Sequence, residues 1–482
     1  MRTGFVGEDR LSRVRTVAGG FLMLLVALLS AAVLALPAAA APSLVVTSPR
    51  PYQVVQRGST GRAGIVVTGR RTGFKGPFEI RWGQAPWSTA YCAGDGSFKL
   101  RLPARPAGQA ALAVRGALRH DVYLTIGRVG IGDIYVIAGQ SNASGRGSSP
   151  SHYSHPTFKA SLFGNDDRWG NLADPTDSAS GQVDTVSKDI YAAGSVWPLL
   201  ATQLMAAENV PVAFVPCARE GTTILKWQKD GSAASQRRTL YGSMLRRVRA
   251  VGGQVRAVLF WQGEADARWH TGHKTYETLL RRFAGDVLAD TGARVVTAQI
   301  GDYGMNWYDA PGVDAIRFAQ QDAWNAGGGV LPGPALYDID LAKTAHFTRG
   351  TDLQTAARRW AAAILRGVLN RPVSRAPRLL TATYDGAVTL TLTFKTGTET
   401  LLLGRVDGVI VLADGQPVTL SSASATADDT VTLVLDAPPK LPPTVTLGSG
   451  REAAGKPVPK VDSVWALPAL IFYEEPVGVP DE

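Results

Sequence analysis

The sequence predicts an α/β protein, a doubly wound parallel sheet flanked by N- and C-terminal β-sandwiches, and three observations predict it. From Gly132 to about Val368, short β-branched and aromatic runs alternate with amphipathic stretches of helical period. From Ser43 to Ile126, and again after Pro372, that period is missing and short strands are separated by Gly, Pro and Ser. The run from Ile134 to Ile137 is apolar at every position, as in a strand covered on both faces.

The 482 residues and 45% hydrophobic content suffice for several packed domains and exclude a disordered chain. Residues 1–41 read as a leader. Arg2, Arg10, Arg13 and Arg15 precede the apolar run Val17 to Leu36, which gives way to Pro37 and four alanines, the order of a cleaved signal peptide. An uncleaved N-terminal membrane anchor is the alternative, since the run is long enough to span a bilayer. The remainder carries no second such stretch, so it is expected in an exported compartment, periplasmic or extracellular, with no stable membrane partner once the leader is gone.

The net charge of +10 reads as a solvated surface. No basic cluster is interleaved with stacking aromatics, so no nucleic-acid partner is expected. Cys92 and Cys217 fall in different predicted domains, without metal or redox spacing, and are expected as free thiols.

In chain order, strands are expected at Ser43 to Thr47, Gly64 to Thr68, Phe78 to Trp82, Phe98 to Leu102, Ala110 to Val114 and Val122 to Ile126. They make an N-terminal β-sandwich over residues 42–128. The α/β region, 129–371, begins with the strand ending at Ile137, followed by long polar loops, Ala143 to Ala193, over a site. Helices near 196–207, 240–251, 276–289, 314–325 and 352–368 then alternate with strands near 212–216, 255–261, 294–300 and 335–339. The C-terminal β-sandwich, 372–482, has strands near 379–383, 388–394, 401–403, 409–412, 431–435 and 444–447, with the tail 464–472 packing back.

Chemistry is expected where the first α/β strand ends. Gly139 permits a sharp exit and Ser141 follows at the carboxyl end of a central strand, where open α/β sheets bind ligands. Alone, Gly-Gln-Ser-Asn is an ordinary turn; its partners change the reading. A serine nucleophile needs a base within hydrogen-bond reach and an oriented base needs a partner. Of six histidines, His346 lies in a loop at the same sheet edge and is the candidate base. His120 reads as a surface residue. The pairs His152/His155 and His270/His273 have i,i+3 spacing but no nearby ligand set in sequence, so no metal is expected. Candidate oxyanion donors are the amide of Ser141, the backbone N–H of Gly221 and the side chain of Gln262.

Four blocks together carry a family resemblance: Gly139-Gln140-Ser141-Asn142; Glu220 to Thr223 followed by Trp227; Trp261-Gln262-Gly263-Glu264; and His346-Phe347 leading to Arg358-Arg359-Trp360-Ala361. With the segment Ile316 to Gln320, they resemble the sialate O-acetylesterase and acetylxylan esterase branch of the SGNH hydrolases, over about residues 130–370. The resemblance implies a flavodoxin-like α/β fold and removal of O-acetyl groups from a carbohydrate, sialic acid or an acetylated polysaccharide, with no cofactor. Ser141 resembles the family's nucleophile and His346 its base, and Gly221 and Gln262 match oxyanion positions. Many members place Asp three residues before the histidine, whereas Lys343 stands here, so the third triad member is either Asp340 or Glu264. The geometry of sequence proximity favours Asp340. The alternatives are a non-catalytic carbohydrate-binding protein on an esterase fold and a lipase or peptidase using the same residues.

Overall fold

The computed structural model describes residues 41–231, 238–304, 308–342, 344–461 and 463–478. The leader expected over residues 1–41 and Lys343 therefore lie outside the described residues, apart from Ala41. Among the described residues, no helix is long and apolar enough to cross a membrane.

The centre is a mixed sheet whose parallel part comprises β1 (Tyr123–Gly139), β2 (Val212–Pro216), β3 (Ala257–Trp261), β4 (Arg294–Gln299) and β5 (Val330–Ala335). Their spatial order is 2-1-3-4-5, with every neighbouring pair parallel. A hairpin, Ser161–Phe163 with Trp169–Asn171, extends the sheet beyond β2. On one face lie α3 (Leu240–Ala250), α5 (His273–Thr291) and α6 (Ala310–Ala326), which bury Met244, Leu280, Phe283 and Ile316. On the other lie α2 (Trp197–Glu208) and α7 (Gly350–Gly367), which bury Trp197, Leu200, Leu353 and Trp360. The expected α/β layer is thus present. Burial on both faces is why Ile134–Ile137 of β1 and the whole of β2 and β3 are apolar without alternation.

Two departures from expectation have clear causes. The last sheet strand runs over Val330–Ala335 rather than 335–339. Pro332, Gly333 and Pro334 suggest a turn, but this strand is an edge of the sheet, where proline is tolerated. In addition, Val122 to Ile126 and Ile134 to Ile137 belong to one strand of 17 residues, β1, so the boundary expected near residue 128 falls inside a strand. Its first half pairs with Gly108–Gly116 and its second half with β2 and β3. A register shift between Ile126 and Val129, beside Arg128 in the left-handed region at φ 56°, interrupts the first pairing, which resumes to Ile131 before the parallel partners take over from Asp133.

The N-terminal strands surround their own apolar core, with Phe78, Ile80, Leu112 and Val114 fully buried. They are fastened to the central sheet at Asp133, whose carboxylate accepts from Arg57 at 2.7 Å and Arg256 at 2.8 Å. The C-terminal region forms a five-stranded and a four-stranded sheet around Leu390, Leu392, Val431, Leu433 and Val445. It includes Leu420–Ala427, a strand the sequence did not suggest because its residues are Ser, Thr and Ala with little apolar signal. Residues 401–403 form only an isolated bridge from Leu401.

Candidate active site

The turn after β1 is forced by crowding. Gly139 has φ 126°, and a Cβ there would lie 2.0 Å from the Trp261 carbonyl of β3, so only glycine fits. Gln140 N donates to that same carbonyl at 2.9 Å, and the short α1 (Ser141–Ser144) follows. Trp197 Nε1 of α2 donates to Ala143 O at 2.7 Å and fixes the far side of the turn. Ser141 is thereby held at the carboxyl edge of the sheet, 6% exposed.

His346 arrives from the loop between β5 and α7, 205 residues later, and its Nε2 lies 2.9 Å from Ser141 Oγ. Asn142 clamps that loop. Its Nδ2 donates to Ala345 O at 3.1 Å and its Oδ1 accepts from Phe347 N at 3.2 Å, so one side chain grips the backbone on both sides of the histidine. Phe347 packs edge-on against Trp261, ring centroids 4.9 Å apart. Burial, and next the positive charge of Arg146, push the His346 pKa down to about 4, with Asp189 opposing. The imidazole is therefore neutral at pH 7. Arg146 is itself held by Asp189 at 2.8 Å and Glu220 at 3.2 Å.

The two candidate acids stand elsewhere. Asp340, favoured from sequence proximity, turns its half-exposed carboxylate to Ala342 N at 2.7 Å and towards Arg451 at 3.6 Å. Six residues of chain bring it near in sequence, but the local turn at Ala342 takes up its oxygen. Glu264 is buried at the start of α4 (Glu264–Arg268) and accepts from Asn142 Nδ2 at 2.7 Å, leaving Oε2 without a hydrogen bond. Burial raises its pKa to about 7, with the Asn142 bond opposing. The nearby Tyr303 hydroxyl also favours the charged form of Glu264, although the pair lacks hydrogen-bond geometry. Among the described residues neither acid hydrogen-bonds His346; Glu264 reaches it only through Asn142.

Gln262 corrects a second expectation. It is fully buried, and its Nε2 donates to Asp266 Oδ2 at 2.6 Å and Thr222 O at 2.9 Å, with Gln140 Oε1 at 3.3 Å. Its Oε1 accepts from the Tyr276 hydroxyl at 3.0 Å. Both amide hydrogens are thus committed beneath the site, where they brace the turn after β2 instead of facing an incoming oxygen. Gly221 is exposed in that turn. Gln320 completes the polar support, donating to Gln262 O at 2.9 Å and accepting from Ile300 N at 3.0 Å. Asn142 and Gln320 lie within the blocks quoted above and Asp266 lies two residues past one of them, yet only contacts across the sheet edge reveal their roles. Tyr276 carried no signal beyond helical period.

The histidine pairs, for which no metal is expected, engage local partners. His155 Nδ1 accepts from Phe158 N at 3.0 Å and acts as a loop cap. His273 does meet carboxylates: its Nε2 is 2.8 Å from Asp322, with Glu277 one helical turn along α5. Glu277, however, is already paired with Lys274 at 2.7 Å and Arg281 at 3.2 Å, so the group is balanced as an ion-pair cluster. Both cysteines are free, Cys217 buried and Cys92 half-buried.

A sequence model of the sialic acid-specific acetylesterase family of carbohydrate esterases matches residues 131–327, which include Ser141, Gly221, Gln262 and Glu264 and stop short of Asp340 and His346. A probable carbohydrate esterase of Arabidopsis thaliana is 29% identical over 152 residues, 28% of this chain, and the match spans 54% of that protein's length. The solved structure of a carbohydrate acetylesterase from Xanthomonas citri superposes with a TM-score of 0.63 at 19% identity, covering 89% of this chain and 99% of that one, a likeness of fold. Over residues 131–327 this chain is thus similar to the sialic acid-specific acetylesterase family of carbohydrate esterases, which are carboxylic ester hydrolases.

Proposed function

We propose that the protein is an exported serine esterase of SGNH type that removes O-acetyl groups from a carbohydrate, sialic acid or an acetylated polysaccharide, through a Ser141–His346 dyad. The observation that carries the reading is the 2.9 Å contact between Ser141 Oγ and His346 Nε2, at a neutral imidazole. His346 takes the hydroxyl proton as Ser141 Oγ attacks the acetyl carbonyl. It then gives the proton to the leaving sugar oxygen, leaving an acetyl-serine. Water, deprotonated by the same nitrogen, attacks this ester and releases acetate, which restores the serine. The backbone N–H groups of Ser141 and Gly221 are the proposed oxyanion donors, with Gln262 bracing the turn that carries Gly221. Asn142 keeps the histidine loop in place, and the negative charge of Asp189 favours an imidazolium. Export rests on the composition of residues 1–41.

The test is acetate release from acetylated xylan, acetylated mannan and O-acetylsialic acid by the purified protein. The expected outcome is turnover of at least one substrate, undiminished after EDTA dialysis, and a loss of roughly 10³- to 10⁶-fold in Ser141→Ala with an unchanged melting temperature. Near-normal hydrolysis by that variant rejects the nucleophile. A folded, inactive parent that still binds the glycans favours the carbohydrate-binding alternative.

A further inference from the structure

A large concavity lies away from Ser141 and His346. It is an open groove of about 1180 Å³ between α6 and the C-terminal sheets. That exceeds the roughly 300–1,000 Å³ of a small-molecule pocket, and seams of this kind are where ligand sites concentrate. Helix α6 buries Val313, Ile316, Ala319 and Ala323 against the parallel sheet. Eight residues of its other face line the groove, and four of them, Asp314, Gln321, Asp322 and Asn325, are polar. A seam evolved only to close would carry apolar residues at these positions.

Two independent features point to a ligand. Gln321 is only 9% exposed, and its Oε1, in the groove wall, has no hydrogen-bond partner among the described residues. A buried amide oxygen without a partner costs about 1–3 kcal/mol, which a donating ligand would remove. Beside it, the Phe318 ring meets that of Tyr473 at 5.1 Å and 54°, and Tyr473 is 53% exposed, so an aromatic wall is open to the groove. Two of the acidic groups that line it are engaged, Asp322 with His273 at 2.8 Å and Asp314 with Ser449 at 2.5 Å, and the exposed Glu475 is offset by Arg378 in the same lining.

We propose that this groove is a second carbohydrate-binding site that takes an uncharged stretch of polysaccharide chain. Hydroxyl groups of a sugar both donate and accept, matching the amides of Gln321 and Asn325 and the hydroxyls of Thr381 and Thr383 on the facing strand. The C–H face of a sugar ring suits the Phe318–Tyr473 wall. A lipid or an apolar peptide would leave Gln321 Oε1 unsatisfied. Binding here, on the same chain as the esterase site, would raise the local concentration of polymer substrate by linkage. The site itself does not depend on the esterase reading.

The experiment is native electrophoresis of the full chain through gels containing soluble xylan or soluble glucomannan, both freed of acetyl groups so that no ester engages Ser141. At least one polymer is expected to retard the parent. Gln321→Ala and Asn325→Ala should each weaken that retardation about tenfold in Kd, the size expected when a buried polar contact is lost. Turnover of 4-nitrophenyl acetate should stay within about twofold of the parent, because neither residue touches the Ser141–His346 site. Phe318→Ala should act likewise; if it lowers the melting temperature, the two polar variants decide. No retardation of the parent by either polymer overturns the proposal, and so does equal retardation of the polar variants. Because the probes carry no ester, failure of the esterase reading would leave these outcomes unchanged.

Discussion

Asn142 shows how much one side chain can organise. It spends its donors on Glu264 and Ala345 and its acceptor on Phe347, so His346 is positioned through the backbone and not through a carboxylate on its ring. Asn142→Ala is expected to lower kcat on a simple acetyl ester about 100-fold with little change in KM, the cost of misplacing a reacting group by about an ångström. Asp340→Asn should stay within a few-fold of the parent, since the carboxylate serves the turn at Ala342. A severe Asp340→Asn defect would reject the dyad. Glu264 supplies a pH signature. Its pKa is about 7 in the fold against 4.5 as the ordinary value, so the folded state binds the proton more tightly. Its contribution to stability therefore declines as pH rises from about 4.5 to about 7 and is level above. Glu264→Gln removes that decline, and urea denaturation at pH 5 and pH 8 should show a smaller loss of stability at the higher pH in the variant than in the parent. His346 works in the opposite sense in both proteins, its depressed pKa adding stability as pH rises from about 4 to 6.5.

At the scale of elements, the turn that carries Ser141 depends on close packing of β1 and β3. Gly139→Ala would place a methyl group 2.0 Å from the Trp261 carbonyl at a φ of 126°. The variant is expected to lose at least about 2 kcal/mol of stability, read from the urea midpoint, and its esterase activity with it. This turn was legible in sequence because an apolar run, a glycine and a serine stand next to one another. Strand β5 was displaced in the sequence reading because its prolines signal a turn, and only its place at the sheet edge explains them. Leu420–Ala427 was invisible since small polar residues give no period to read.

The whole molecule is held together by buried polar staples as well as by apolar cores. Arg317 of α6, fully buried, donates to Gly301 O at 2.7 Å and, across the seam, to Gly448 O at 2.9 Å and Gly450 O at 2.5 Å. Arg317→Ala should cost about 3 kcal/mol or more by leaving several carbonyls unpaired, and amide hydrogen exchange around residues 448–451 should rise first. The sequence by itself determined the α/β core and the order of its elements, and it marked Ser141 and His346 as candidates, because strand and helix periods and turn residues act over a few neighbouring positions. The tertiary structure decided which acid reaches the site, the bracing role of Gln262 and the clamp by Asn142. Those contacts join residues 40 to 205 positions apart, and their hydrogen-bond geometry exists only once the sheet edge has assembled.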